Sequence, residues 1–196
     1  MYAANEDRMN ESDLRLLNDD ELVVAVLKDS ECFSVLYERY IRPVYRMCYR
    51  AVGSVDVAED LAARSFLTVY ERLHQYRPQD EGSFRAWLFV VVRNTVRDHW
   101  RRHRRELPLF AEITNIVDAD PGPEELVLAR MQMEELRHLL ERLNEKHRTI
   151  VELRLAGLST NEIAAAMDLS ISAVKSSQVR AYANIRRRLV SKGEAL

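Results

Sequence analysis

The sequence predicts an all-α fold of two small helical domains joined by a linker. Three observations predict it. Apolar residues recur at three- and four-residue spacing along nearly the whole chain, the mark of amphipathic helices. With 5 Gly and 5 Pro in 196 residues, the chain is poor in the turn residues of an all-β fold. Between residues 106 and 123 the periodicity stops in a stretch with three Pro, one Gly and four acids, ELPLFAEITNIVDADPGP, which reads as the linker. At roughly 100–200 residues per domain, the length admits one ordinary domain or two small ones.

The elements follow in order. Residues 1–18 read as an acidic N-terminal tail ending at Asn18, which caps a helix beginning DDELVVAVL. That helix opens a domain over 19–105. Ser30 starts the next helix, striped by Phe33, Leu36, Tyr37, Tyr40, Val44 and Cys48. Pro43 lies within the stripe and predicts a kink or break, and Gly53 closes the helix. Asp56 and Glu59 have capping-box spacing and open a third helix, with Ala58, Leu61, Ala62, Ser65, Phe66, Val69, Tyr70 and Leu73 on one face. HQYRPQDEG is a loop by its Pro and Gly. Ser83 caps a fourth helix, apolar at its start and basic at its end, in which Phe84 and Trp87 are core candidates. After the linker, helical pattern resumes at Glu124 and runs through Leu136, Leu139, Leu140, Leu143, Ile150 and Val151. Two short helices complete a second domain over 124–192.

The net charge of −2 hides an uneven distribution. Residues 1–31 carry nine acids and three bases, and residues 106–145 carry ten acids and three Arg. Between them, residues 93–105 carry six Arg and one Asp, and Lys175 to Lys192 holds six bases and no acid. Two basic islands among acidic stretches are two candidate phosphate-binding faces. The longest apolar run, Ala86 to Val92, falls far short of the roughly 20 residues of a membrane span. The polar, acidic N-terminus is no signal peptide. Cys32 and Cys48 make neither a disulfide framework nor a CxxC zinc site, and no cofactor is expected. The reading is a reducing, cytoplasmic protein.

GLSTNEIAAAMDLSISAVKSSQVRAYANIRRRL is the most informative segment. Ser159 and Glu162 have capping-box spacing, with Leu158 and Ile163 at the staple positions. Ser170 is a second N-cap, with Leu169 and Val174 again at staple spacing. A short helix, Thr160 to Met167, a turn at Asp168 and Leu169, and a second capped helix give a helix-turn-helix. Val174, Ala181, Ile185 and Leu189 share a face that should pack inward. Lys175, Ser176, Val179 and Arg180 share the opposite one, where such a helix meets DNA. Lys175 and Arg180 suit phosphates or guanine edges, Ser176 a base or phosphate, and Val179 a thymine methyl. An ordinary solvated helix end is the competing reading; two caps, two staples and the absence of acids favour DNA.

In RNTVRDHWRRHRR, Arg93, Arg97, Arg101 and Arg104 form one stripe, bordered by Asn94 and Trp100. Guanidinium groups beside an amide and an aromatic ring suit backbone contact and the stacking of unpaired bases. An exposed cationic helix end is an equally good reading of this segment alone. His99 and His103 have i, i+4 spacing, but no Cys or acid pattern completes a zinc site.

Taken together, AEDLAARSFLTVYERL, SFRAWLFVVVRNTVRDHWRRHRR and EKHRTIVELRLAGLSTNEIAAAMDLSISAVKSSQVRA resemble the extracytoplasmic-function (group IV) sigma factors of bacterial RNA polymerase, over residues 19–190. The resemblance implies that the first domain is sigma region 2. Its clamp-docking helix would hold Glu59, Asp60, Leu61 and Phe66. The loop from Gln75 to Ser83 and the helix with Asn94, Arg97, Trp100 and Arg101 would face the minus-ten strand, with Tyr76 helping to hold an extruded base. The second domain would be region 4, reading the minus-thirty-five element through Lys175, Ser176 and Arg180. The linker would thread through the polymerase. The partners implied are core RNA polymerase, promoter DNA and an anti-sigma protein. Two positions depart from the family pattern: Ala63 and Arg64 stand where Gln-Glu is usual, and Ser177 stands where a basic residue is common. The chain ends at Leu196 with no room for an appended sensing domain, so regulation is expected from outside. The two domains are expected to form a hinged pair that collapses together when inhibited.

Three other readings compete. A LuxR-type helix-turn-helix regulator ends in a similar run, but no receiver-like β/α alternation precedes it. An enzyme lacks support, because no Gly-rich phosphate loop, GxSxG, HExxH or CxxC occurs. A pure helical interaction module does not account for the separate basic islands.

Overall fold

The computed structural model describes residues 10–77, 83–103 and 123–193. Within them the chain is helical, with no strand. Nine α-helices follow in order: α1 Glu11–Leu16, α2 Asp19–Lys28, α3 Phe33–Val52, α4 Val55–Arg72, α5 Phe84–His103, α6 Pro123–Glu141, α7 Glu145–Leu155, α8 Thr160–Met167 and α9 Ile171–Gly193. Most of the expected linker, residues 106–122, and the loop tip at residues 78–82 lie outside the described residues, as do residues 1–9.

Local chemistry accounts for the boundaries and corrects several expectations. The expected tail contains α1, capped by Asn10, whose side chain accepts from Asp13 N at 2.8 Å. Asn18 caps α2 in a full capping box with Glu21. α3 runs unbroken through Pro43, contrary to a break there. The proline forfeits one helical hydrogen bond, while burial of Tyr40 before it and Val44 after it holds both sides in register. Gly53 ends α3 in the left-handed conformation, φ 70°, where a Cβ would also meet the Arg137 guanidinium at 3.3 Å. Ser54, not Asp56, is the N-cap residue of α4, and its cap lacks a side-chain hydrogen bond. The continuous pattern from Glu124 to Val151 is two helices, because Asn144 caps α7 by accepting from His147 N.

The helix-turn-helix forms as its caps predict. Ser159 and Glu162 make a reciprocal box, and Asp168 turns the chain in the left-handed region at φ 52°. The Ser170 hydroxyl accepts from Ala173 N at 3.2 Å. Val174 and Ala181 are fully buried and Ile185 packs on the core, but Leu189 is exposed, one turn beyond the last packed residue.

The halves do not stand apart. One core runs from Leu22, Leu36, Leu61 and Phe89 of α2–α5 into Ile150, Leu153, Leu158, Ile163 and Val174 of α7–α9. A smaller cluster of Leu140, Leu143, Val151 and Ala181 joins α6, the α6–α7 junction, α7 and α9. Small Ala164, with partly buried Ala166, lets α8 approach the rest of this core.

Candidate nucleic-acid interface

The first turns of α9 present Lys175, Ser176, Val179 and Arg180 together on an exposed face. Val179 is 68% exposed. Ser177 is buried on the other side of the helix, so in this arrangement it cannot contribute to that face.

On α5, Trp87, Val90, Asn94, Arg97 and Arg101 succeed one another at spacings of 3, 4, 3 and 4 residues. They therefore lie along one strip of the helix. Trp87 and Val90 belong to a cleft of about 340 Å³, lined also by Gln75, Tyr76, Arg77, Ser83 and Ala86. The strip thus leads from an aromatic cleft onto cations. Asn94 is half-buried, and Arg97, Trp100 and Arg101 are exposed. The ring of His99 meets Trp100 edge-on at 5.7 Å. Half-buried Arg93 lies beside Arg97; burial and that like charge lower its pKa.

Tyr76 forms a wall of the cleft and is itself only 6% exposed. Its ring meets Phe84 edge-on at 5.6 Å and lies 5.5 Å from Trp87. Its hydroxyl donates to Asp20 Oδ1 at 2.7 Å. Burial, then this bond to a carboxylate, raises the phenol's pKa. Next to Asp20, Asp19 accepts from the Tyr40 hydroxyl and pairs with Arg39 at 2.6 Å.

The far side of the cleft is formed by Ala165 and Ala166 of α8. Two polar contacts fasten that helix and the turn before it. The Ser83 hydroxyl donates to Glu162, and Arg85 Nη1 donates to the Gly157 carbonyl at 3.2 Å. The cleft is therefore roofed by α8, while the first turns of α9 stay exposed.

On α4, Glu59 and Asp60 are exposed, with Asp60 paired to Arg64 at 2.9 Å. Leu61 and Phe66 are buried and shape this surface from beneath. Tyr37 and Tyr70 lie on the apolar stripes of their helices, and Leu67 lies off its stripe. All three are exposed, Leu67 at 59%. Phe66 packs on Tyr37 at 4.7 Å, and Phe33 joins Phe66 to Tyr70. A groove of about 420 Å³ between Tyr37, Ile41, Tyr45, Glu59, Ala62 and Ala63 completes the face. The overlooked signal was Leu67, a leucine off the helix's apolar stripe.

Two family models match the chain, Sigma-70 region 2 over residues 36–106 and Sigma-70, region 4 over residues 133–185. The ECF RNA polymerase sigma factor BldN of Streptomyces coelicolor is 34% identical over 82% of this chain and 61% of that protein. SigD of Mycobacterium tuberculosis is 34% identical over 79% and 76% of the two chains. The ECF RNA polymerase sigma-E factor of Salmonella typhimurium is 32% identical over 84% of this chain and 91% of that one. In fold, the chain is similar to CnrH in its complex with the cytosolic domain of CnrY, with a TM-score of 0.68 at 23% identity over 88% of this chain and 97% of that one. Both regions are present, in order, on an all-helical frame that relatives share over most of its length, and the chain belongs to the extracytoplasmic-function sigma factors of the sigma-70 family.

Proposed function

We propose that the chain docks on core RNA polymerase through the exposed α3–α4 face, captures the unpaired minus-ten strand along α5, and reads the minus-thirty-five duplex with the first turns of α9. The observation that carries this reading is the strip on α5 that leads from the aromatic cleft at Trp87 to Asn94, Arg97 and Arg101. Flipping a base out of a duplex costs a few kcal/mol. Stacking on an aromatic side chain returns about 1–3 kcal/mol per base, and the cations beyond it hold the backbone. A cleft that opens onto guanidinium groups supplies both at adjacent places.

Within this reading, Asn94, Arg97, Trp100 and Arg101 contact the strand and Tyr76 forms a wall of the base pocket. Lys175, Ser176, Val179 and Arg180 contact the duplex. Glu59, Asp60, Leu67 and Tyr70 face the polymerase clamp, with Leu61 and Phe66 beneath them. The α8 roof is incompatible with a base in the cleft, so strand capture requires the halves to part. Core polymerase, by holding the two readers apart at one promoter, raises the effective concentration of each. An anti-sigma protein is the partner expected to hold the closed arrangement. The fold's similarity to RpoE of Bartonella quintana, solved with the anti-sigma factor NepR, supports that expectation.

Transcription with purified core polymerase, with and without this protein, on genomic promoter DNA tests the reading. Discrete start sites that require the protein, and that weaken with Arg97→Ala, are expected. Core polymerase neither bound nor redirected would overturn it.

A further inference from the structure

The reading above assigns the cleft to an extruded base, and the present inference rests on it. α2 lies outside the cleft, yet its first turn reaches the wall. Asp20 and Tyr76 are 56 residues apart and joined by a 2.7 Å hydrogen bond. Tyr76 directly follows the 3₁₀ turn Leu73–Gln75, and its N–H donates to the Leu73 carbonyl. Its ring meets Phe84 edge-on and Trp87 at a tilt of 50°, apolar contacts that carry no hydrogen bond to the hydroxyl. Asp20 supplies the directional contact to the ring's hydroxyl. Asp20 is in turn held by the first turn of α2, which Asn18 and Glu21 cap reciprocally.

We infer that Asp20 is a positioning residue for base capture: by accepting from the Tyr76 hydroxyl it keeps the ring as a wall of the cleft and prevents it from swinging in as a plug. Released, the phenol gains rotamers that occupy the space of a base. The contact is a hydrogen bond to a charged acceptor, so its loss should weaken strand binding by about tenfold.

The test uses the protein bound to core polymerase and a single-stranded oligonucleotide carrying the non-template sequence upstream of a mapped start site. 2-Aminopurine replaces each adenine in turn. Asp20→Ala and Tyr76→Phe should each weaken strand binding about tenfold and reduce the fluorescence change of the pocketed base. The double variant should lose no more than either single one, because both remove the same bond. Asp20→Asn, whose amide oxygen still accepts, should recover binding to within about twofold of the parent. Binding to minus-thirty-five duplex should be unchanged in all of them. If the parent complex binds the strand and either the single losses multiply in the double variant or Asp20→Ala binds normally, the positioning role is overturned while the cleft reading stands. If the parent complex fails to bind any strand, both fall.

Discussion

The Ser83 hydroxyl donates a hydrogen bond to the Glu162 carboxylate across 79 residues of chain, joining the N-terminal end of α5 to the first turn of α8. Both residues also serve their own helices. Ser83 Oγ accepts from Ala86 N at 3.2 Å, and Glu162 Oε2 accepts from Ser159 N at 2.7 Å. The contact that closes the two halves is thus built from two caps, and each half presents its partner atom already oriented.

Single substitutions at these positions mix cap loss with contact loss, so a double-mutant cycle separates them. Ser83→Ala, Glu162→Ala and the double variant, unfolded in urea, should show a coupling of about 1.5–3 kcal/mol, the range for a hydrogen bond to a charged group. A coupling near zero means that the halves do not hold this contact in solution.

The same contact carries a pH dependence. Burial pushes the Glu162 carboxyl upward, but hydrogen bonds from Ser83 and Ser159 and the Arg85 charge outweigh it and hold it below its ordinary value. An acid lowered by the fold stabilises it above the ordinary carboxylate range, about 4.3, and loses that contribution as pH falls through its own lower value. The stability gap between the parent and Glu162→Gln should be constant from pH 6 to 8 and shrink below about pH 4. A gap that widens with acid contradicts the assignment.

Arg50, near the end of α3, is 4% exposed, and its Nε and Nη2 have no hydrogen-bond partner among the described residues. Burial lowers its pKa, opposed by Glu152 of α7, which Arg148 already engages at 2.9 Å. Arg50→Met should therefore stabilise the protein by about 1–3 kcal/mol, because it removes a buried, under-bonded charge and leaves Glu152 paired. In thermal unfolding this is a rise of about 2–4 °C per kcal/mol. A lower midpoint would show that the Arg50–Glu152 attraction outweighs the desolvation.

For the α4 face, Leu67→Ala and Tyr70→Ala should reduce core polymerase affinity by about tenfold each, the loss of a moderate hot spot. Both side chains are half-exposed or more, so the thermal midpoint should move little. Equal affinity in both variants would move the docking face elsewhere.

On α9, Lys175→Ala and Arg180→Ala should each weaken duplex binding and lower the slope of log affinity against log salt by about 1 if they contact phosphate. If Arg180 instead reads a guanine edge, the slope stays and discrimination at one base pair falls by about 1–3 kcal/mol.

Helix identity and the helix-turn-helix were legible because their causes are local. Ser159, Glu162 and Ser170 are caps whose partners lie three residues away, so spacing alone reveals them. The α9 face was legible for the same reason: Val174 and Ala181 define the buried side, and the four residues opposite follow from 3.6-residue geometry. α3 stays unbroken at Pro43 because tertiary burial on both sides overrides the local tendency to break. α1 was missed because six residues give too short a stretch for a period to show.

The sequence by itself determined most of the helices, the helix-turn-helix and where the cations lie, since these depend on neighbours within one or two turns. Only the tertiary structure decided that Tyr76 is held by Asp20, that Leu67 and Tyr70 face outward, and that α8 roofs the cleft through Ser83 and Glu162. These contacts join residues far apart in the chain, and no local spacing encodes them. They exist because both halves bury apolar faces in one core, which brings groups together that the sequence keeps apart.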